Sequence, residues 1–143
     1  MNGNAELLNF IYQNSQMGVE TLQPLMNMVE EEAFKTCLAS QLQEYQEINR
    51  MARSMLNQHG YDEKGIGALD TLKTHWMINV QTLTNKTSAH IAEMLMIGSN
   101  MGVINAVKNL KKYRDAQQSI VELMEKLLRL EENNIQQLKA FLA

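Results

Sequence analysis

One histidine and one glutamate stand out as residues that could do chemistry inside a helical protein. His90 falls on the apolar face of one predicted helix and Glu131 on that of another, with Glu44 and Asn134 at similar heights. An imidazole beside carboxylate and amide oxygens could bind one divalent cation such as iron, manganese or zinc. A buried carboxylate or imidazole is costly unless it has a partner, so a metal or small-ligand site is one interpretation.

The alternative interpretation is a structural hydrogen-bond network. Polar residues interrupt the apolar faces of the predicted helices near the middle of each helix. In this interpretation His90 and Glu131 satisfy each other, and further polar residues complete the network. The predicted buried polar layer consists of Ser15, Gln41, Thr87, His90, Glu131 and Asn134. We favour the network over the divergent metal or ligand site.

The sequence offers no signature of covalent catalysis. It contains no Gly-rich phosphate loop, Ser/His/Asp arrangement or nucleophile elbow. The single Cys37 excludes an intramolecular disulfide and a CxxC-type metal site, and is predicted to be a small buried hydrophobe. The eleven methionines include no close Met-x-x-Met run, so copper(I) binding is the weakest alternative. We therefore predict no catalytic residues, no cofactor and no enzymatic activity.

Length and composition indicate one helical domain. The chain has 143 residues, of which 45% are hydrophobic and 20% charged, with a net charge of −3. This charge gives no overall attraction to nucleic acid or anionic lipid. No apolar stretch is long enough to cross a bilayer, and the N-terminus MNGNAELLNF does not resemble a secretory signal. We predict a cytoplasmic domain over 1–143 without nucleic-acid or membrane partners.

Helix-forming residues and sparse glycines predict an all-α antiparallel four-helix bundle. The predicted helices cover about 4–28, 31–58, 68–112 and 115–141. The first turn is placed near Asn27 to Glu31, after Pro24 and beside an acidic run suited to a helix N-terminus. Whether the glycines of GSNMG interrupt the third helix is left open.

The predicted connections are short, and this favours an up-down-up-down order. A middle connection of about nine residues reaches roughly 30 Å, whereas a helix of about 28 residues is roughly 42 Å long. The basic residues near the end of the third helix suit a helix C-terminus, with an anion-binding patch as the alternative. They are Lys108, Lys111, Lys112 and Arg114.

A second apolar stripe runs along the third predicted helix, away from its core face. Its members are Ile78, Ala89, Ala92, Met96, Val103, Val107 and Leu110. A bundle helix that faces water on that side would normally be polar there. We therefore predict a homo-oligomer, with a two-fold dimer about the third helix as its simplest form.

Several segments resemble small, mostly uncharacterised bacterial proteins of the ferritin-like four-helix-bundle type. The likeness lies in FIYQNSQMGVETL and LASQLQEYQEI in the first half, and in SHIAEMLMIGSNMGVINAVKNLKKY and KLLRLEENNIQQLKAFL in the second. It covers most of the chain, and it implies the fold rather than an activity.

Active di-iron members of the ferritin-like group carry a Glu on each of two helices and a Glu-x-x-His on each of the other two. In this sequence Asn134 stands three residues after Glu131, and Glu47 three residues after Glu44, so neither Glu-x-x-His motif has its histidine. The short predicted loop after the second helix also differs from the long ferritin crossover. The resemblance therefore implies a bundle without a complete di-iron site, acting as a structural or protein-interaction module.

Overall fold

A computed structural model describes residues 3–61 and 83–142. Within these ranges the chain forms four α-helices and no strand, which confirms the all-α prediction there. The helices are α1 (Gly3–Leu25), α2 (Glu32–Gln58), α3 (Ser88–Lys112) and α4 (Gln118–Leu138), and a 3-10 turn follows at Lys139–Phe141. None of these helices is both long and apolar enough to cross a membrane.

The turn between α1 and α2 lies where the sequence predicts it. Helix α1 ends at Leu25, directly after Pro24, and α2 begins at Glu32. The acidic Glu32 occupies the first turn of α2, where it interacts favourably with the helix dipole. Val29 is buried in the connection and fixes it against the core.

Helices α2 and α4 present the predicted apolar faces to the core. The buried apolar residues of α2 are Phe34, Leu38, Tyr45, Ile48, Ala52 and Leu56, and those of α4 are Ile120, Leu123, Met124, Leu127, Leu130 and Leu138. Phe34 also packs against Phe141, with ring centroids 4.7 Å apart. Cys37 is only half-buried, because it lies at the edge of the α2 face.

Helix α3 begins much later than predicted. Residues 83–87 are not helical, and Thr87 is the N-cap whose Oγ1 accepts a hydrogen bond from the backbone N of His90 at 3.3 Å. The prediction of one helix over 68–112 is therefore wrong; its first part, up to residue 82, lies outside the described residues. The GSNMG segment does not interrupt α3, and Lys111 and Lys112 occupy its last turn, as predicted for a helix end.

The packed face of α3 differs from both predicted stripes. Its buried residues are Ile91, Ala92, Leu95, Gly98, Ser99, Gly102 and Ala106. Ile97, in contrast, is 48% exposed. Apolar residues occur on every side of α3, so apolarity does not identify the packed side. Small residues identify it, because they allow close approach of a neighbouring helix.

Helices α2 and α3 begin at the same end of the structure, so the up-down-up-down prediction is wrong. Ser88, the first residue of α3, donates a hydrogen bond to Oε1 of Glu31, the N-cap of α2, at 2.5 Å. At the other end, the backbone N of Gln117 before α4 donates to Oδ1 of Asn4 in α1 at 2.7 Å.

The late start of α3 explains why its predicted direction relative to α2 is wrong. The sequence predicts a short loop between these two helices, whereas residues 59–87 separate α2 from α3 in the chain. At about 3.3 Å per residue, such a connection can exceed the roughly 40 Å length of α2. The prediction that this connection is too short for a long crossover is therefore wrong as well.

Candidate functional site

A buried tyrosine–glutamate contact lies at the centre of the described helices. The hydroxyl of Tyr45 in α2 donates a hydrogen bond to Oε1 of Glu131 in α4. Tyr45 is 3% exposed and Glu131 is 2% exposed. Each residue lies on the inward face of an amphipathic helix, among apolar residues one turn above and below it. The contact is therefore held away from water by the packing of both helices.

Further polar side chains complete a layer around this contact. Nδ2 of Asn134 donates to the Tyr45 hydroxyl at 3.2 Å. Asn14 of α1 forms a hydrogen bond with Glu131, and Ser99 of α3 forms one with Tyr45. All four described helices thus contribute to one buried polar layer. Glu131 and Asn134, two of the residues predicted for such a layer, are buried in it.

Two glycines make room for the central side chains. A Cβ atom at Gly102 of α3 would overlap Oε2 of Glu131. A Cβ atom at Gly18 of α1 would lie 2.7 Å from the ring of Tyr45. Real Cβ contacts are not this short, so both positions require glycine in this packing.

Burial changes the proton affinity of the two central groups. It raises the pKa of the Glu131 carboxyl from 4.5 to about 7, although hydrogen bonds from Tyr45 and Asn14 partly oppose this rise. It also raises the pKa of Tyr45 well above its ordinary value, and the neighbouring Glu131 charge adds to that effect. Near neutral pH, Glu131 therefore exchanges a proton while Tyr45 keeps its own.

The layer supplies one carboxyl group with amide and hydroxyl partners. Across residues 3–61 and 83–142, no three His, Cys, Asp or Glu residues lie together as a metal-binding group. Glu131 can hold or release a proton, and its neighbours can stabilise either form by hydrogen bonding. The described geometry is that of a satisfied structural network.

His90 and Thr87 do not belong to the layer, which corrects the prediction. Both are exposed at the start of α3. His90 precedes Gly102, which contacts Glu131, by about three turns of helix, or roughly 18 Å. The predicted pairing of His90 with Glu131 extrapolated the phase of a helix through residues 83–87, where no helix exists.

The four candidate metal ligands are likewise not brought together. Glu131 and Asn134 are neighbours in the interior, whereas Glu44 and His90 are exposed. Glu44 precedes Tyr45 in α2, so its side chain leaves the helix about 100° away from the inward direction. The predicted set of His90, Glu131, Glu44 and Asn134 therefore cannot surround one ion in this arrangement.

Ser15 and Gln41 are buried as predicted, but they belong to other clusters. Ser15 Oγ donates to the carbonyl of Ile11 at 2.7 Å and accepts from Nδ2 of Asn49 at 3.1 Å. Gln41 Nε2 donates to Oε1 of Gln137 at 3.1 Å, beside Cys37. Burial raises the pKa of the Cys37 thiol, with a hydrogen bond from Gln41 opposing it.

The predicted layer lacks the tyrosine and two polar members of the observed one. Tyr45 follows the apolar period of α2, so the sequence does not mark it as polar, although a buried phenol needs a hydrogen-bond partner. Asn14 and Ser99 lie beside glycine-containing faces, and the spacing of Gly98, Ser99 and Gly102 in α3 was the available signal. Such a run of small residues indicates close helix approach.

The outer side of α3 exposes large aliphatic side chains. Ile97 is 48% exposed and Ile104 is 46% exposed. They are seven residues apart, so they lie on the same side of the helix, opposite Gly102. We call the side defined by Glu93, Ile97, Asn100, Met101, Ile104 and Lys108 the outer face of α3.

The outer face corrects the predicted interface stripe. Ala92 of that stripe is completely buried, and Ala89, Met96, Val103, Val107 and Leu110 are only half-buried; Ile78 lies outside the described residues. A groove of about 420 Å³ adjoins the outer face, lined by Glu93, Met96, Ile97, Asn100, Ile135 and Leu142. The exposed apolar surface therefore extends from α3 towards the end of α4.

Comparison of the chain with protein-family models, with curated proteins and with solved structures found no match.

Proposed function

We propose that this chain is a ferritin-like helical bundle that acts through association with another protein and catalyses no reaction of its own. Contacts between helix ends support the ferritin-like part. Helices α2 and α3 begin together, and α1 and α4 begin together at the opposite end. Residues 59–87 separate α2 from α3 in the chain, and ferritin-like folds have one long crossover connection.

The observation that carries the association proposal is the exposure of Ile97 and Ile104 on one side of α3. Removing apolar surface from water is favourable by about 25 cal/mol per Å². Aliphatic side chains on a water-facing helix side do not gain this free energy. Neighbouring Met101 is half-buried and extends the apolar surface between them. A protein partner that covers this face would remove that cost.

The buried layer supports a non-enzymatic role. Glu131 has hydrogen-bond partners within the protein, and its carboxyl group is closed off from solvent. A catalytic carboxyl must reach a substrate atom directly or through one water. We therefore assign the layer to holding the helices in place. A cytoplasmic location stays a prediction.

Crosslinking in cells that naturally make the protein tests the association proposal. Lys108 lies on the outer face, and Lys126 lies away from it between α2 and α4. With a short lysine-reactive reagent, we expect Lys108 to crosslink to another polypeptide, either a different protein or a second copy. Mixed isotope labelling of the chain distinguishes these two cases.

Variants then connect the crosslink to the outer face. Ile97→Asp with Ile104→Asp should abolish the Lys108 crosslinks, because an unpaired charge is costly in an apolar contact. A control with Gln46→Asp and Asn133→Asp adds the same charge at exposed positions elsewhere and should preserve them. If wild-type Lys108 crosslinks only within its own chain, the proposal is wrong.

A further inference from the structure

We infer that the partner of the outer face is a second copy of this chain, packed antiparallel about a two-fold axis that passes between Asn100 and Met101. The inference rests on the association proposal and names its partner. It comes from the positions of two residue pairs along α3.

The apolar residues of the outer face are placed symmetrically. Ile97 and Ile104 lie on either side of the midpoint between Asn100 and Met101. Each is about 5 Å from that midpoint along the helix axis. Rotating a second copy by 180° about an axis through the midpoint brings Ile97 to the height of the partner's Ile104. Both exposed side chains are then covered.

Two opposite charges share the same midpoint. Glu93 and Lys108 are exposed on this face, each about 11 Å from the midpoint. The same rotation brings Glu93 of one copy to the height of the partner's Lys108, within reach of its long side chain. Two complementary charge pairs therefore flank the isoleucines. The charged pair and the apolar pair each indicate the same two-fold axis, independently of one another.

Other arrangements lack this match. A parallel dimer places Glu93 beside the same glutamate of the partner, and Lys108 beside the same lysine. Sliding one copy by a helical turn towards the end of α3 places Lys108 against the partner's Ile97. The antiparallel arrangement satisfies both the apolar residues and the charges. Contact through one helix face is smaller than a standard interface of about 1,600 Å², so we expect a micromolar or weaker dimer.

Sedimentation velocity of the purified chain at low salt tests the inference, over a range of about 5 µM to 0.5 mM. We expect the wild type to shift from monomer to dimer with concentration. Glu93→Lys and Lys108→Glu should each weaken the dimer by about three- to tenfold, because each creates two like-charge contacts. Ile97→Asp should remove the dimer. Circular dichroism and an unchanged melting temperature show that each variant is folded.

Mixing the two charge variants gives the sharpest test. A chain with Glu93→Lys opposite a chain with Lys108→Glu has complementary charges at both contacts. The mixture should therefore dimerise at least as tightly as the wild type, although each variant alone does not. The double variant Glu93→Lys/Lys108→Glu should also recover dimerisation. A different partner protein would give neither recovery. A parallel dimer would also gain complementary charges in the mixture, but neither single variant would weaken it, because each keeps like charges opposite each other.

Three results would overturn the inference. The first is a wild type that stays monomeric over the whole range, and the second is a dimer that survives Ile97→Asp. The third is charge variants that fail to complement each other in the mixture. In each case the association proposal stands or falls separately, on whether Lys108 crosslinks to a different protein in cells.

Discussion

Tyr45 and Glu131 lie 86 residues apart in the chain and meet in the interior, where the phenol donates its hydrogen bond to a carboxyl group that is almost completely buried. The carboxyl group of Glu131 is the most strongly buried acidic group that the structure describes in residues 3–61 and 83–142. Its surroundings combine desolvation with two hydrogen-bond partners, Tyr45 and Asn14.

Stability should depend on pH through Glu131. Its pKa in the folded protein is about 7, raised from 4.5. Below about pH 4.5 both folded and unfolded chains hold the proton; between pH 4.5 and 7 the unfolded chain loses it first, so stability falls as pH rises. At about 1.4 kcal/mol per pKa unit, the total loss is about 3 kcal/mol.

Urea unfolding from pH 4.5 to 8, for the wild type and for Glu131→Gln, measures this effect. The glutamine keeps an oxygen that can accept from Tyr45 but does not ionise. The stability difference between the two proteins should therefore change by about 3 kcal/mol across the range and level off above pH 7. Parallel pH curves would show that Glu131 titrates normally.

Tyr45→Phe should destabilise the protein by about 1–3 kcal/mol, because Glu131 and Asn134 both lose a buried hydrogen-bond partner. The same change should raise the pKa of Glu131 further, since the Tyr45 hydrogen bond lowers it. Tyr12→Phe is the matched control, because the Tyr12 hydroxyl accepts a hydrogen bond from the exposed Arg53 at 3.2 Å. An equal loss in both variants would contradict a special role for the buried phenol.

Gly102→Ala should destabilise the protein by about 1–3 kcal/mol, because the new methyl group overlaps the Glu131 carboxyl group. At an open helical position the same change would instead stabilise by about 1 kcal/mol. The sign of the change in a thermal melt thus tests the close approach. In a Glu131→Ala background the cost of Gly102→Ala should shrink, because the two positions are coupled.

Thr87→Ala should cost about 1 kcal/mol of stability, because Thr87 caps the N-terminus of α3 through its hydroxyl. Thr87→Ser keeps the hydroxyl and should cost much less. His90→Ala should leave stability nearly unchanged, since the cap involves only the backbone of His90 and its side chain is exposed. A loss of several kcal/mol in His90→Ala would indicate the buried role that sequence analysis predicted.

The sequence was sufficient to predict the inward faces of α2 and α4. Each of these helices has one apolar face and one polar face, so a period of 3.6 residues identifies the buried side. Glu131 and Asn134 follow from the same period, because they interrupt the apolar face of α4. The turn after Pro24 follows from the lost backbone donor of proline.

Helix α3 could not be predicted in the same way. Its apolar residues surround the helix, and its packed side is formed largely by Gly98, Ser99, Gly102 and Ala106, whose low hydrophobicity hides their burial. The contact of Tyr45 with Glu131 depends on the alignment of two helices distant in sequence. Local periodicity carries no information on that alignment.

The positions of the glycines give the protein two similar halves. Gly18 of α1 faces Tyr45, the fourteenth residue of α2, and Gly102 of α3 faces Glu131, the fourteenth residue of α4. Helices α1 and α2 form the first helical hairpin, and α3 and α4 form the second. In each hairpin a glycine on the first helix accommodates a long polar side chain on the second. Two copies of the second hairpin would bring two carboxyl groups together, and two copies of the first would leave two phenols without a carboxylate acceptor. The centre of the protein therefore requires two unlike hairpins, and joining them in one chain ensures that every donor is folded against an acceptor.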